Sequence, residues 1–234
     1  MSTETQAWPP QSDRRRCLSR CSRALVGFAA VLAARATAAA EPPRHPLDRK
    51  PLVLVLGDSL SAEYGLRRGS GWVELLRERL AENRIAAQVV NASISGETTA
   101  GGRARLPALL AQHKPTHIVI ELGGNDALRG LPLAVTGRQL GEMTRLAAAA
   151  GARVLLLGMQ LPPNYGRRYG EEFAALYAEA ARPVRATLVP FFLKGIADAA
   201  DADSLFQSDR IHPREVAQAR MLDNVWPALL PLLR

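Results

Sequence analysis

Two short clusters in this chain carry residue types that together could transfer an acyl group. Ser59 follows Gly57-Asp58 at the end of an apolar run, and His212 stands three residues after Asp209. Acyl transfer by a serine needs a general base, an acid to orient that base, and donors for the developing oxyanion. A histidine suits the base, because its ordinary pKa near 6.5 allows proton transfer at neutral pH. Of the four histidines, only His212 has a carboxylate placed three residues before it, with Pro213 following. That spacing lets Asp209 accept from one ring N–H while the other ring nitrogen faces Ser59.

The elements that must position these residues read as strands alternating with helices. Apolar runs at Leu52–Leu56, 87–90, His117–Leu122 and Arg153–Leu157, with a short one at Thr187–Val189, suit strands buried on both faces. Helical spacing or helix-stop signals mark 72–83, 103–113, 133–150, 171–181 and 214–232, the last with Pro227 and Pro231 near its end. Alternation across short connections predicts an α/β fold with a doubly wound parallel sheet of about five strands. In such sheets ligands sit beyond the carboxyl ends of the strands. The first three strands end there in Gly57-Asp58-Ser59, in the segment Asn91–Gly96, and in Gly123-Gly124-Asn125-Asp126. Ser59 alone could be a helix N-cap, and each other cluster an ordinary turn. Their joint occurrence at one rim points to chemistry.

Bulk composition narrows the classes. The 234 residues are 47% hydrophobic, enough for one sizeable domain and an appendage. Half of the +8 formal charge lies in residues 1–40, where six arginines face Glu4 and Asp13. The remainder has no long basic run and few aromatics, so no nucleic-acid partner is expected. Cys17 and Cys21 are the only cysteines, so residues 41–234 offer no thiol nucleophile and no cysteine ligands for zinc. The sequence holds no clustered metal ligands, and neither metal nor cofactor is expected.

Residues 1–40 read as an address. A basic stretch from Arg14 to Arg23 precedes eleven apolar or small residues, Ala24 to Ala34, and the run Ala36-Thr37-Ala38-Ala39-Ala40 follows Arg35. These are the three parts of a secretory signal, with cleavage expected after Ala38 or Ala40. The apolar stretch is shorter than the ~20 residues needed to span a bilayer, so the mature chain is expected to have no stable membrane span. An Ala-rich helix or a short anchor is the competing reading. Residues 41–50, with Pro42, Pro43 and Pro46, read as a linker to a catalytic domain at 51–234.

GDSLSAEYG (57–65), NASISGETT (91–99), LGGNDALRG (122–130) and SDRIHP (208–213) resemble the four sequence blocks of the SGNH, or GDSL, hydrolases. LPPNYGRRY (161–169) and RLPALL (105–110) look like its bacterial periplasmic subgroup of multifunctional thioesterases, lysophospholipases and arylesterases. The resemblance implies a flavodoxin-like α/β/α domain with Ser59 as nucleophile, His212 as base and Asp209 as its partner. It implies an oxyanion hole from the Ser59 and Gly96 backbone N–H groups and the Asn125 side chain. Leu131 and Leu161 would flank the acyl chain of a small-molecule or lipid ester in an exported, periplasmic or secreted, enzyme.

The sequence departs from the pattern in two places. Glu63 stands where the family commonly has a small residue, and reads as a solvated carboxylate. Ser208 stands where close relatives often have an acid. Asp58 and Asp126 are read as structural, hydrogen-bonding their loops. Rival readings are a carbohydrate acetyl esterase of the same family, a non-catalytic binding module of the same fold, and a nucleotide-binding domain. The last lacks both G-x-G-x-x-G and a P-loop lysine after strand one.

Overall fold

The computed structural model describes residues 50–234; the signal segment 1–40 and nearly all of the linker lie outside the described residues. Five strands, β1 (Leu52–Gly57), β2 (Gln88–Asn91), β3 (His117–Glu121), β4 (Arg153–Leu157) and β5 (Thr187–Val189), form one sheet in the order β2-β1-β3-β4-β5. Every pairing is parallel. This is the flavodoxin-like order expected, with its reversal of winding between β1 and β3. The helices are α1 (Trp72–Glu82), α2 (Thr99–His113), α3 (Gly124–Leu128), α4 (Leu133–Ala149), α5 (Arg167–Ala181), α6 (Ala202–Leu205) and α7 (Gln218–Leu233).

The layers follow from handedness. The crossover through α1 runs the opposite way along the sheet from those through α2, α4 and α5, so right-handed connections place them on opposite faces. The packing agrees: α4 contacts both α5 and α2, while α1 contacts α7. Val53 to Leu56 in β1, Ile118 to Ile120 in β3 and Leu155 to Leu157 in β4 are completely buried between these layers, as continuous apolar runs should be. Trp72, Leu76, Met221, Leu222 and Val225 fill one side; Leu106, Leu140, Met143 and Phe173 fill the other.

Several boundaries differ from expectation for identifiable reasons. Helix α2 begins at Thr99, before the expected 103, because the Thr98 hydroxyl caps it by accepting from the Gly101 N–H. Helix α5 begins at Arg167 rather than 171, its first turns carrying Arg167–Glu171 and Arg168–Glu172 pairs at i,i+4 spacing. Pro227 and Pro231 lie inside α7 without ending it; burial of Met221, Leu222, Val225 and Leu229 outweighs the missing amide donors.

Candidate active site

Ser59 begins a run of turns directly after β1, where the Ala62 N–H donates to the Asp58 carbonyl at 2.9 Å. A short helical turn was the expectation; one such bond forms, without a continuing helix. The run is pinned from several sides. Asn91 Nδ2 donates to the Ser61 carbonyl at 2.7 Å, and Gln207 Nε2 donates to the Tyr64 carbonyl at 2.9 Å. Glu63 is not a free solvated carboxylate: it accepts from the Gly69 and Gly71 N–H groups and so ties the turn to the start of α1.

His212 reaches the serine from the far end of the chain. Its Nε2 lies 2.8 Å from Ser59 Oγ, and its Nδ1 lies 2.6 Å from Asp209 Oδ2. The three-residue spacing works because Asp209 folds its own loop. Its Oδ1 accepts from the Ile211 and His212 backbone N–H groups at 2.9 and 3.0 Å, leaving Oδ2 for the ring. An antiparallel bridge between Phe206 and Pro213 closes the base of the loop. Desolvation raises the Asp209 pKa, but the hydrogen bonds from His212 and Ile211 outweigh it and hold the carboxyl down at about 2. Asp209 is therefore ionised and orients a ring whose Nε2 can take the Ser59 proton.

The second and third clusters are anchored to the first. The Ile94 N–H donates to the Gly57 carbonyl at 3.0 Å, drawing the 92–97 loop against the end of β1. Gly96 in that loop has φ +76°, a conformation that glycine adopts without steric penalty, and its carbonyl accepts from Arg129 at 2.9 Å. Asn125 opens α3, where a loop was one reading, and its Nδ2 donates to Asp58 Oδ2 at 2.8 Å. One N–H of that amide is thereby fixed and the other is left for a ligand. Among the described residues, no backbone carbonyl takes up the Ser59 or Gly96 N–H. Unfilled donors beside a serine–histidine–carboxylate relay are what stabilisation of an acyl oxyanion calls for.

Asp58 and Asp126 sit outside the relay. Asp126 is buried and accepts from the Thr99 N–H at 2.9 Å and from the Thr99 hydroxyl, joining α3 to α2. Asp58 accepts from the Leu60 N–H at 3.0 Å. Burial, partly offset by that bond and by Asn125, pushes its pKa up to about 6. Leu131 is exposed after α3, and Leu161 is partly packed on the core after β4. Ser208 is exposed. His117, at the opposite end of β3, is buried against Thr116 Oγ1 and the Leu232 carbonyl, and His113 ends α2.

Residue-type reasoning passed over Glu121. It ends β3 fully buried, and its Oε2 accepts from the Asp58 N–H at 3.2 Å and from Ser61 Oγ at 2.8 Å. A carboxylate closing an otherwise apolar parallel strand is the signal that could have exposed it, since a buried acid demands partners. Among the described residues, no three His, Cys, Asp or Glu side chains group as a metal site.

With this geometry in place, comparison with known proteins is decisive. Residues 55–220 match the GDSL-like lipase/acylhydrolase family. The chain belongs to that family. It is 55% identical to esterase TesA of Pseudomonas aeruginosa over 181 residues, covering 77% of this chain and 89% of that one. It is 42% identical over 181 residues to the thioesterase 1/protease 1/lysophospholipase L1 of Escherichia coli K12, covering 77% and 84%. The crystal structure of TesA superposes with a TM-score of 0.75 at 54% identity, over 77% of this chain and 99% of that one. The family assignment, the fold and membership among acyl-ester hydrolases agree with the sequence reading.

Proposed function

We propose that this chain is an exported serine esterase that cleaves acyl thioesters and oxygen esters through an acyl-Ser59 intermediate. The observation that carries the reading is the continuous relay from Ser59 Oγ through His212 to Asp209. Ser59 Oγ attacks the acyl carbon while His212 Nε2 takes its proton, and the carbonyl oxygen becomes an oxyanion facing the Ser59 and Gly96 N–H groups and the Asn125 amide. Collapse of that intermediate breaks the bond to the leaving thiol or alcohol, which receives the proton from His212. Water, deprotonated by His212, then attacks acyl-Ser59; the acyl–Oγ bond breaks, Ser59 Oγ takes that proton back from His212, and the carboxylic acid is released. Asp209 holds the ring in the productive tautomer and offsets its positive charge.

An acyl group of lipid character is supported by where apolar side chains are exposed. Tyr64, Ile94, Leu128, Leu131, Tyr165 and Ile211 are six of the eight large hydrophobic residues exposed among the described residues. All six lie in segments beyond the carboxyl ends of β1 to β4 or beside His212. Leu131 and Leu161 flank the acyl chain in this reading. Residues 1–40 act as a cleaved signal and 41–50 as a linker, placing the domain at 51–234 in the periplasm or outside the cell. Acyl-CoA belongs to the cytoplasm, so a lysophospholipid or another envelope ester is the proposed natural substrate. No helix among the described residues is long and apolar enough to cross a membrane.

The test is hydrolysis of a series of esters and thioesters of increasing acyl length by the purified enzyme. Turnover rising with chain length beyond acetyl is expected. A preference for acetyl would favour a carbohydrate esterase instead.

A further inference from the structure

Beneath the Ser59 turn two acidic side chains face each other in the interior. Sheet register sets Gly57 of β1 opposite Glu121 of β3, so the Glu121 carboxyl lies under the peptide that leads into the nucleophile. A Cβ on Gly57 would stand 2.8 Å from Glu121 Oε2 and 2.8 Å from Ser61 Oγ, so the first residue of the GDS cluster must lack a side chain for this carboxyl to fit. Glu121 Oε2 accepts from the Asp58 N–H and from Ser61 Oγ, and Ser61 Oγ accepts in turn from Trp72 Nε1 at 3.1 Å. The Glu121 carboxyl lies close enough to feel the charge of the Asp58 carboxyl, whose Oδ2 receives Asn125 Nδ2. One buried acid thus holds the backbone before Ser59 and neighbours the carboxylate that accepts from Asn125.

We propose that Glu121 is a positioning residue for ester hydrolysis: it donates a hydrogen bond to Asp58 and accepts from the Asp58 N–H and Ser61, and so sets the Ser59 turn and the Asn125 amide together. Two carboxylates cannot both be charged in a dry interior, so the pair keeps one proton. The proton belongs on Glu121. Burial first, and then the charge of Asp58, push its pKa well above the usual range. Asp58 is favoured as the ionised partner by its bonds from the Leu60 N–H and Asn125, and by His212. The other titratable group facing the pair is Tyr177 of α5, whose Oη donates to the Leu122 carbonyl at 3.0 Å and which also feels the charge of Asp126 of α3. Tyr177 stays neutral through burial, and the acids around it hold its proton further. The pair therefore forms a relay from acid to carboxylate to amide, ending at the oxyanion donor.

This inference rests on the roles proposed for Ser59 and Asn125, and its test is chosen to fail separately from them. Glu121→Gln keeps the acceptor oxygen and supplies an N–H in place of the acid proton, so kcat is expected to stay close to wild type. Glu121→Ala is expected to lower kcat on the order of 10²-fold, as a misplaced donor does, with KM nearly unchanged. Infrared difference spectra at neutral pH should show a carboxylic-acid C=O band in wild type that Glu121→Gln lacks. The raised acid contributes stability below the ordinary carboxylate range that is lost as pH rises, so the Tm of Glu121→Gln should gain on wild type as pH rises above that range. Loss of kcat in the Gln variant as deep as in Ala, no change in the acid band, or a Tm gap that shrinks with rising pH would overturn the proposal. Phosphonate labelling of Ser59 in wild type reports on the nucleophile independently, and the spectra and Tm need no catalysis.

Discussion

The ring of Tyr64 lies over the imidazole of His212, with centroids 4.3 Å apart and the planes tilted by 38°. Tyr64 is half-exposed and sits five residues after Ser59, so the turn that presents Ser59 also covers His212. In the proposed mechanism the His212 ring becomes cationic during turnover, and an aromatic face beside it stabilises that cation and fixes its plane. Aromatic pairs contribute about 0.5–1.5 kcal/mol beyond area burial, so Tyr64→Leu should lower kcat by about 2–12-fold. Tyr64→Phe should remain near wild type, since the ring and not the hydroxyl makes the contact. Steady-state kinetics on a soluble ester decide it.

Asn125 donates one amide N–H to Asp58, and the proposed mechanism assigns the other to the oxyanion. Asn125→Ala should therefore lower kcat by about 10²–10³ while changing KM little, because the oxyanion forms only as the reaction proceeds. A rise in KM with kcat preserved would assign Asn125 to ground-state binding instead.

His117 gives a stability prediction remote from the site. Burial, with Arg153 adding repulsion, lowers its pKa despite the Leu232 carbonyl that favours the charged form. The unfolded chain binds that proton more readily, so stability present above the ordinary histidine pKa of about 6.5 is lost as pH falls below it. His117→Gln should flatten the fall of Tm between about pH 7 and about pH 5. An unchanged slope would mean that other groups carry the acid sensitivity.

How much of this was legible in the sequence follows from which interactions are local. The strands were legible because Val53–Leu56 and Ile118–Ile120 are unbroken apolar runs, and the Asp209–His212 pair because its hydrogen bonds close within four residues. The start of α2 was not, because Gly101 and Gly102 disfavour helix and only the Thr98 cap and the Thr99–Asp126 contact place it. Glu63 read as solvated because its partners, Gly69 and Gly71, are backbone donors supplied by a later turn. Glu121 read as part of a strand because its partners lie 60 and 63 residues away and meet it only through sheet register.

The proposed mechanism stands on Ser59 as the nucleophile. Intact-mass and peptide mapping after reaction with a fluorophosphonate ester should show one adduct, on Ser59, formed in step with loss of esterase activity. Ser59→Ala should take up no adduct and hydrolyse no ester above the residual rate of its oxyanion donors. An adduct on any other residue, or esterase activity retained in Ser59→Ala, would contradict the account.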